Sequence, residues 1–203
     1  MLKCGVIPIP EDVHGCFAIF GLQHWIGATL ISPWGRPDMK SNLTLIGMPG
    51  AGKSTVGIIL AKNLGLGFID TDVLIQINQQ KTLQQILNET DHLNLRAIEE
   101  KEILKINIEN HVIATGGSAA YSDKAMAHLA GISKIIFLEA SLEAIKKRIR
   151  NFDTRGIAKN KGQTFEDLFR ERQLLYKKYA EITVNCNELD QEALAMKIAQ
   201  ALS

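Results

Sequence analysis

A phosphate-binding loop is the feature of this chain that most restricts its fold. Residues 47–54 read GMPGAGKS and match the pattern G-x-x-x-x-G-K-[ST] at every fixed position. An apolar run, residues 43–46, precedes the loop, and a segment of helical composition, residues 55–62, follows it. Strand, glycine loop and helix start are the context that the motif requires, because N–H groups at a helix N-terminus then surround phosphate oxygens. The chain is therefore predicted to bind a nucleoside triphosphate.

The loop also predicts which atoms hold the triphosphate. Its glycines allow consecutive backbone N–H groups to turn toward phosphate oxygens. Lys53 is expected to place its ammonium group on the β- and γ-phosphates, and the Ser54 hydroxyl is expected to reach Mg²⁺. The ATP-binding residues predicted from the loop are Gly50, Ala51, Gly52, Lys53, Ser54 and Thr55.

The overall charge gives no sign of a nucleic-acid or membrane partner. The 203 residues include 23 Lys plus Arg and 22 Asp plus Glu, so the net charge is +1. Proteins that follow nucleic acid or an anionic membrane surface usually carry a basic excess. We therefore expect neither nucleic acid nor a membrane as a partner. The partners predicted for the chain as a whole are ATP and a small-molecule substrate, and it is expected to be a monomer.

Cysteine usage favours a reducing compartment. Cys4, Cys16 and Cys186 form no C-x-x-C pair and have no spacing typical of a zinc site. Structural disulfides are rare in the cytoplasm. We therefore predict a cytoplasmic protein with inert thiols.

Residues 1–38 differ in composition from the rest of the chain. They contain both tryptophans, four of the five prolines and two of the three cysteines. The apolar stretch at residues 17–32 is shorter than the roughly 20 residues that a spanning helix needs, and Gln23 and His24 interrupt it. Met39 directly precedes the first predicted strand. We interpret residues 1–38 as a dispensable extension or the product of an upstream start, and residues 39–203 as the functional domain.

From Met39 onward, short apolar segments alternate with helical ones, which is typical of a parallel sheet covered on both faces. Strands are predicted at residues 43–46, 67–69, 112–115, 135–138 and 182–184, with a partly exposed helix at residues 92–110. Thr82 and Gln85 have the spacing of a capping box, and Ser122 and Ser141 are candidate N-caps. The expected fold is α/β with three layers, in which helices flank a five-stranded parallel sheet.

A polar segment at residues 151–163 interrupts this alternation. It contains two glycines and little apolar content. Such an insert is usually a solvated loop, but next to a phosphate site it can be a lid that closes over the phosphates and excludes water. We favour a mobile lid.

Two carboxylates, Asp70 and Asp72, follow the second predicted strand. At this spacing both side chains point the same way, toward the edge of the sheet where ligands of α/β proteins bind. One carboxylate can hold Mg²⁺ through water, and the other can accept a hydrogen bond from an attacking hydroxyl. The alternative for Asp72 is that it only caps the next helix.

Five ordered motifs, which span about residues 41–186, resemble the shikimate kinase family. Residues 45–76, LIGMPGAGKSTVGIILAKNLGLGFIDTDVLIQ, are similar to the opening of that family. Similar motifs follow at Leu95-Arg96 with Glu99, at residues 112–117 (VIATGG), at Thr154-Arg155 and at residues 171–176 (ERQLLY). The resemblance implies a P-loop kinase fold whose lid covers the active site.

The resemblance assigns further residues to ATP and its metal. Ser54 and Asp70 would serve Mg²⁺, and Lys53 would act in catalysis. Arg155 would move in with the lid and neutralise the transferring phosphoryl group. Arg150 would lie against adenine, with Arg148 as the alternative.

The resemblance also implies the acceptor site. Asp72 would orient or deprotonate the acceptor hydroxyl. Arg96 and Arg172 would grip a substrate carboxylate, which agrees with the planar fork of arginine. The backbone of Gly116 and Gly117 would approach the substrate closely.

Three departures from the family pattern lie on the acceptor side. Ser118 replaces the third glycine of a triplet, residues 155–158 read RGIA where the family has R-P-L-L, and Leu174 replaces a proline. We predict ATP-dependent phosphorylation of a hydroxyl on a small carboxylate, with shikimate as the acceptor and shikimate 3-phosphate as the product. One alternative is a related enzyme acting on another hydroxy acid such as homoserine, and another is a non-catalytic nucleotide-binding module.

Overall fold

A parallel five-stranded sheet forms the centre of the protein in this computed structural model, which describes residues 40–149, 156–160, 162–187 and 189–202. The strands are β1 (Asn42–Ile46), β2 (Gly67–Asp70), β3 (His111–Ala114), β4 (Ser133–Glu139) and β5 (Ile182–Asn185). They lie in the order β2-β3-β1-β4-β5, and every neighbouring pair is parallel. The predicted α/β fold is confirmed, and each predicted strand is found within two residues of its expected ends.

Helices connect the strands and cover the sheet. They are α1 (Lys53–Leu64), α2 (Thr71–Gln79), α3 (Leu83–Glu89), α4 (His92–Leu104), α5 (Asp123–Ile132), α6 (Leu142–Arg148), α7 (Phe165–Tyr179) and α8 (Gln191–Leu202), with a 3-10 helix at Ala119–Tyr121. All five residues of β1 are buried, since this strand lies in the middle of the sheet and both of its faces are covered. No helix within the described ranges is long and apolar enough to span a membrane.

The predicted helix starts are confirmed by their hydrogen bonds. The backbone N–H of Gln85 donates to Thr82 Oγ1 at 3.2 Å, and the N–H of Thr82 donates to Gln85 Oε1 at 2.8 Å. These two bonds form the capping box of α3. Ser122 and Ser141 accept the capping hydrogen bonds of α5 and α6.

The helix predicted over residues 92–110 ends earlier, at Leu104. The N–H of Lys105 donates to Glu102 O at 3.2 Å, and the N–H of Ile106 donates to Ile103 O at 3.0 Å. These i to i−3 bonds tighten the last turn and complete the helix. The prediction was too long because the apolar residues Ile106 and Ile108 continue past the helix into the loop that leads to β3.

The topology brings the predicted site residues to one edge of the sheet. The carboxyl ends of parallel strands meet at a common edge, and β2, β3 and β1 are neighbours. The phosphate loop follows β1, Asp70 ends β2, and the Gly116 turn follows β3. Residues 1–38, Arg150, Arg155 and the first part of the predicted lid lie outside the described residues.

Candidate active site

A cleft of about 930 Å³ opens at this edge of the sheet. We call two groups of residues at this cleft the nucleotide half, which is residues 47–55 with Asp70, and the acceptor half, which is Asp72, Arg96, Glu99, residues 116–118 and Arg172. Nine of the predicted residues line the cleft: Gly50, Ala51, Gly52, Lys53, Ser54, Thr55, Asp72, Gly117 and Arg172.

The start of α1 supplies the phosphate donors. Gly52 is the N-cap of this helix and has no side chain that could bond to the first N–H groups. The first turn of a helix has N–H groups without an intrahelical partner, and they carry partial positive charge. These groups are therefore available to phosphate oxygens.

Lys53 lies inside the loop that it serves. Its side chain is buried, and its Nζ donates to Gly47 O at 2.8 Å and to Met48 O at 3.0 Å. The two carbonyl oxygens fix the ammonium group within the curve of the loop. A phosphate oxygen in this position would meet a charge that is already in place.

The structure brings the predicted metal-binding pair together. Ser54 Oγ donates to Asp70 Oδ2 at 2.5 Å. The other oxygen, Asp70 Oδ1, accepts from the N–H groups of Asp72 at 2.9 Å and Val73 at 3.4 Å, so Asp70 is the N-cap of α2. The alternative that Asp72 caps this helix is therefore wrong, because the residue two positions earlier does so.

The chemistry of this pair suits Mg²⁺. A hydroxyl oxygen and a carboxylate oxygen are hard ligands, and Mg²⁺ in phosphate sites is usually held by one or two protein oxygens together with phosphates and water. Within the described residues no group of three or more His, Cys, Asp or Glu side chains could hold a metal ion. Ser54 and Asp70 thus fit a cation that binds together with a nucleotide.

The carboxylates of Asp72 and Glu99 both lie against Gly116 in the acceptor half. A Cβ atom on Gly116 would lie 2.6 Å from Asp72 Oδ1 and 2.1 Å from Glu99 Oε1, so no side chain fits here. The N–H of Gly116 donates to the buried Thr71 hydroxyl at 2.9 Å, which holds this turn beside the start of α2. The absence of a side chain at Gly116 therefore allows the backbone to lie directly against Asp72 and Glu99.

Glu99 is a buried carboxyl group whose importance was not predicted. Burial, together with the nearby charge of Asp72, raises the pKa of Glu99 to about 7. Ser118 Oγ donates to Glu99 Oε2 at 2.5 Å, whereas Glu99 Oε1 has no hydrogen-bond partner among the described residues. Ser118, the departure from the glycine triplet, is thus bonded to the protein itself.

The two predicted carboxylate-binding arginines have unpaired N–H groups. Nε and Nη2 of Arg96 are buried without a hydrogen-bond partner in the described part of the chain, and the same is true of Arg172 Nε. In arginine, Nε and Nη2 form one edge of the guanidinium group, the edge that can bind both oxygens of a carboxylate. Burial lowers the pKa of Arg96, and the nearby charge of Arg172 acts in the same direction.

The end of the predicted lid is packed onto the acceptor half. Ala158 is buried in an apolar cluster with Ile75 and Leu95, and its carbonyl oxygen accepts from Arg172 Nη2 at 2.6 Å. Gly156 has a φ of 68° and donates its N–H to Gln84 Oε1 at 3.0 Å. Proline cannot adopt this φ or donate this bond, which explains the departure from the family's R-P-L-L.

The cleft also extends past α6 to the start of α8. Lys147, Arg148 and Cys186 line it there, and Arg148 Nη2 donates to Cys186 O at 2.7 Å. Arg148, the alternative to Arg150 for contact with adenine, is thus fixed at this end of the cleft.

Fold and site together define a P-loop kinase with an acceptor site for a small molecule. The family model described as shikimate kinase matches residues 49–203. The chain belongs to the shikimate kinase family, which transfers phosphate from ATP to a hydroxyl group, and the predicted family and enzyme class are confirmed.

Similar proteins agree with this assignment over most of the chain. A shikimate kinase of Clostridium botulinum is 38% identical over 157 residues, which cover 75% of this chain and 93% of that protein. One from Rhizobium meliloti is 30% identical over 181 residues, 88% of this chain and 94% of that protein. The structure of shikimate kinase from Acinetobacter baumannii in complex with shikimate has a TM-score of 0.74 at 29% identity and covers 80% of this chain and 92% of that one.

Proposed function

We propose that this protein transfers the γ-phosphoryl group of ATP to a ring hydroxyl of shikimate and forms shikimate 3-phosphate. The observation that carries this proposal is the composition of the acceptor half. Asp72 and Arg172 line the same cleft as the phosphate loop, and Arg96 adds a buried guanidinium edge without a partner. Shikimate offers the hydroxyl and the carboxylate that such a site would bind.

On the nucleotide side, phosphoryl transfer needs positioning and charge neutralisation more than covalent chemistry. Lys53 and the N–H groups at the start of α1 would hold the phosphates. Ser54 and Asp70 would hold Mg²⁺. The bound cation would offset the negative charge of the β- and γ-phosphates. The resemblance to the family adds Arg155, as a further positive charge on the lid, and Arg150 near adenine.

On the acceptor side, Arg96 and Arg172 would bind the carboxylate and so fix the orientation of the ring. Each charge-assisted hydrogen bond of this kind contributes about 1.5–3 kcal/mol. Asp72 would then accept a hydrogen bond from the attacking hydroxyl and take up its proton as the bond to phosphorus forms.

Ser118 gives no support to a smaller acceptor such as homoserine. That alternative was based on the serine side chain filling part of the acceptor pocket. Ser118 is only 8% exposed, and its hydroxyl donates to Glu99. Its one donated proton is therefore used within the protein, and the side chain lines the cleft without offering a donor to a smaller acceptor.

An ADP-release assay with matched acceptors tests the proposal. We expect turnover with shikimate at least about 100-fold above that with homoserine or with the methyl ester of shikimate, since the ester cannot form two charge-assisted bonds with an arginine. Phosphorus NMR of the product would give the position of the new ester. Absence of ADP release with shikimate would contradict the proposal.

Metal dependence, assembly and location need separate measurements. We propose that EDTA abolishes turnover and that added Mg²⁺ restores it. We also propose that the enzyme acts as a monomer in the cytoplasm. Light scattering after size-exclusion chromatography would test whether the enzyme is a monomer. Cell fractionation would test whether it is found in the cytoplasm.

A further inference from the structure

Tyr121 lies against both arginines of the acceptor half, and no role has been assigned to it so far. The Arg96 guanidinium carbon is 3.5 Å from the centroid of the Tyr121 ring and lies over its face. The Arg172 guanidinium carbon lies over the same ring, 5.5 Å from the centroid. Both distances are within the roughly 6 Å at which an aromatic ring attracts a cation.

The position of Tyr121 is fixed from both sides along the chain. It ends the 3-10 helix Ala119–Tyr121, whose first two residues are almost completely buried. Just before this helix, Gly117 O accepts from the Tyr176 hydroxyl at 2.6 Å, and just after it, Ser122 Oγ donates to Glu100 Oε2 at 2.6 Å. Hydrogen bonds on both sides of the 3-10 helix therefore hold the backbone that carries the ring.

The Tyr121 ring is a main contact that orients the guanidinium group of Arg96. A buried guanidinium group is usually oriented by hydrogen bonds to acceptors in the protein. The Nε and Nη2 atoms of Arg96 have no such acceptor within the described ranges. Arg172 adds a second positive charge nearby, and the two cations repel each other. The charges of Glu171 and Glu99 offset part of this repulsion. The electron-rich face of Tyr121, the group in direct contact with the guanidinium plane, offsets a further part and orients the Arg96 fork.

We propose that Tyr121 is the positioning residue that holds Arg96 and Arg172 ready for the acceptor carboxylate. It acts through the two guanidinium groups and does not itself react. This inference rests on the proposed function, because it assumes that the arginines bind the carboxylate of shikimate. Its consequence is specific, since Tyr121 should affect the affinity for the acceptor and leave the affinity for ATP unchanged.

Steady-state kinetics of Tyr121→Leu and Tyr121→Phe test this inference. Tyr121→Leu should raise the KM for shikimate about 5- to 30-fold, the range expected for a buried cation–π contact. The kcat and the KM for ATP should change by less than about 2-fold. Tyr121→Phe should have the KM of the unmodified protein, because the ring remains. The Tyr121 hydroxyl lies near Arg172 but has no partner in hydrogen-bond geometry among the described residues, so its loss should not matter.

Tyr179 provides a matched control on α7. Lys178 Nζ lies 4.7 Å from the centroid of its ring, so it forms a similar pair at the protein surface, away from the cleft. Tyr179→Leu should leave the KM for shikimate unchanged. The double variant Arg96→Lys/Tyr121→Leu should raise the KM by less than the product of the two single effects, because both changes weaken the contact between residues 96 and 121.

If Tyr121→Leu does not fold, variants with ring-fluorinated phenylalanines at position 121 provide a second test. Successive fluorination weakens the negative potential of the ring with little change of shape, so the KM for shikimate should rise with each added fluorine. A KM that is the same for all fluorinated variants would overturn the inference. An unmodified protein that does not phosphorylate shikimate would instead contradict the proposed function, so the two failures are distinguishable.

Discussion

The two halves of the cleft differ in how their own polar groups are satisfied. In the nucleotide half, the charged Lys53 and the proposed metal-binding pair Ser54 and Asp70 all bond to nearby groups of the protein. In the acceptor half, Arg96 has two buried N–H groups and Glu99 has one buried oxygen without a partner among the described residues. The side chains of the nucleotide half are therefore held by the protein itself, and the N–H groups at the start of α1 are left for phosphate oxygens. In the acceptor half, by contrast, charged side chains themselves have polar atoms that a ligand could pair.

Removal of the loop cation should give the largest loss of activity. Lys53→Ala should lower kcat about 10³-fold, because no other group at the loop replaces the ammonium charge. Lys62→Ala is the control, since Lys62 is exposed on the same helix. Steady-state kinetics would measure both variants, and near-normal turnover of Lys53→Ala would place the phosphate site elsewhere.

Neutralisation of Asp72 tests whether its carboxylate takes up the proton of the acceptor hydroxyl. Asp72→Asn should lower kcat by about 10²-fold or more with little change in the KM for ATP, because the amide cannot accept a proton from the acceptor hydroxyl. Asp91 begins α4 as its N-cap, and Asp91→Asn should keep full activity because asparagine caps equally well. Normal turnover of Asp72→Asn would limit Asp72 to a structural role.

The buried carboxyl of Glu99 should affect stability in a pH-dependent way. Its pKa of about 7 lies above the ordinary value of 4.5, so between these pH values the folded protein holds a proton that the unfolded chain has lost. The free energy of unfolding should therefore fall as the pH rises through this range, by an amount on the order of 3 kcal/mol. Glu99→Gln should remove this fall, as urea denaturation between pH 4 and 8 would measure.

Glu102 is the matched control for this experiment, since it is buried on the same helix. Burial raises its pKa, but hydrogen bonds from Lys105 and Asn78 outweigh that effect and lower it. Glu102 therefore stabilises the fold above its ordinary pKa, and this contribution is lost as the pH falls. Glu102→Gln should thus weaken the protein near pH 7, opposite in sign to Glu99→Gln. The same sign for both variants would contradict this assignment of the two carboxyl groups.

Conservative replacement of Arg172 should give the smallest of the four effects. Arg172→Lys keeps the charge but loses the planar fork, so the KM for the acceptor should rise about 10-fold while the KM for ATP stays constant. Arg170 lies on the same helix with its side chain 79% exposed, and Arg170→Lys should change neither constant. A rise in the KM for ATP would show that Arg172 belongs to the nucleotide half.

The nucleotide half was predictable from the sequence because its residues are close in the chain. The loop, β1 and α1 are consecutive, and Asp70 ends the next strand. The caps of α3, α5 and α6 were predictable for the same reason, since each depends on residues three positions apart. Local order of this kind leaves a pattern that a single sequence shows.

Apart from Asp72, which its spacing to Asp70 indicated, the acceptor half could be predicted only through the resemblance to a family. The bond from Ser118 to Glu99 joins residues 19 positions apart, and the contact of Arg172 with Tyr121 joins residues still further apart in the chain. Neither has a local pattern, because both depend on how α4 and α7 pack around the 3-10 helix. The alternative of a cap at Asp72 arose for another reason, since two aspartates at i and i+2 both suit a helix start and the sequence does not show that Asp70 takes this place.

The hydrogen bonds of Lys53 to its own loop have a consequence for the release of products. A buried ammonium ion without partners would bind any anion that entered the loop and would hold it after the reaction. Because Gly47 O and Met48 O accept from Nζ, the loop itself competes with the phosphates for this charge. When ADP leaves, the lysine keeps two acceptors, so the emptied loop meets no penalty from a stranded cation.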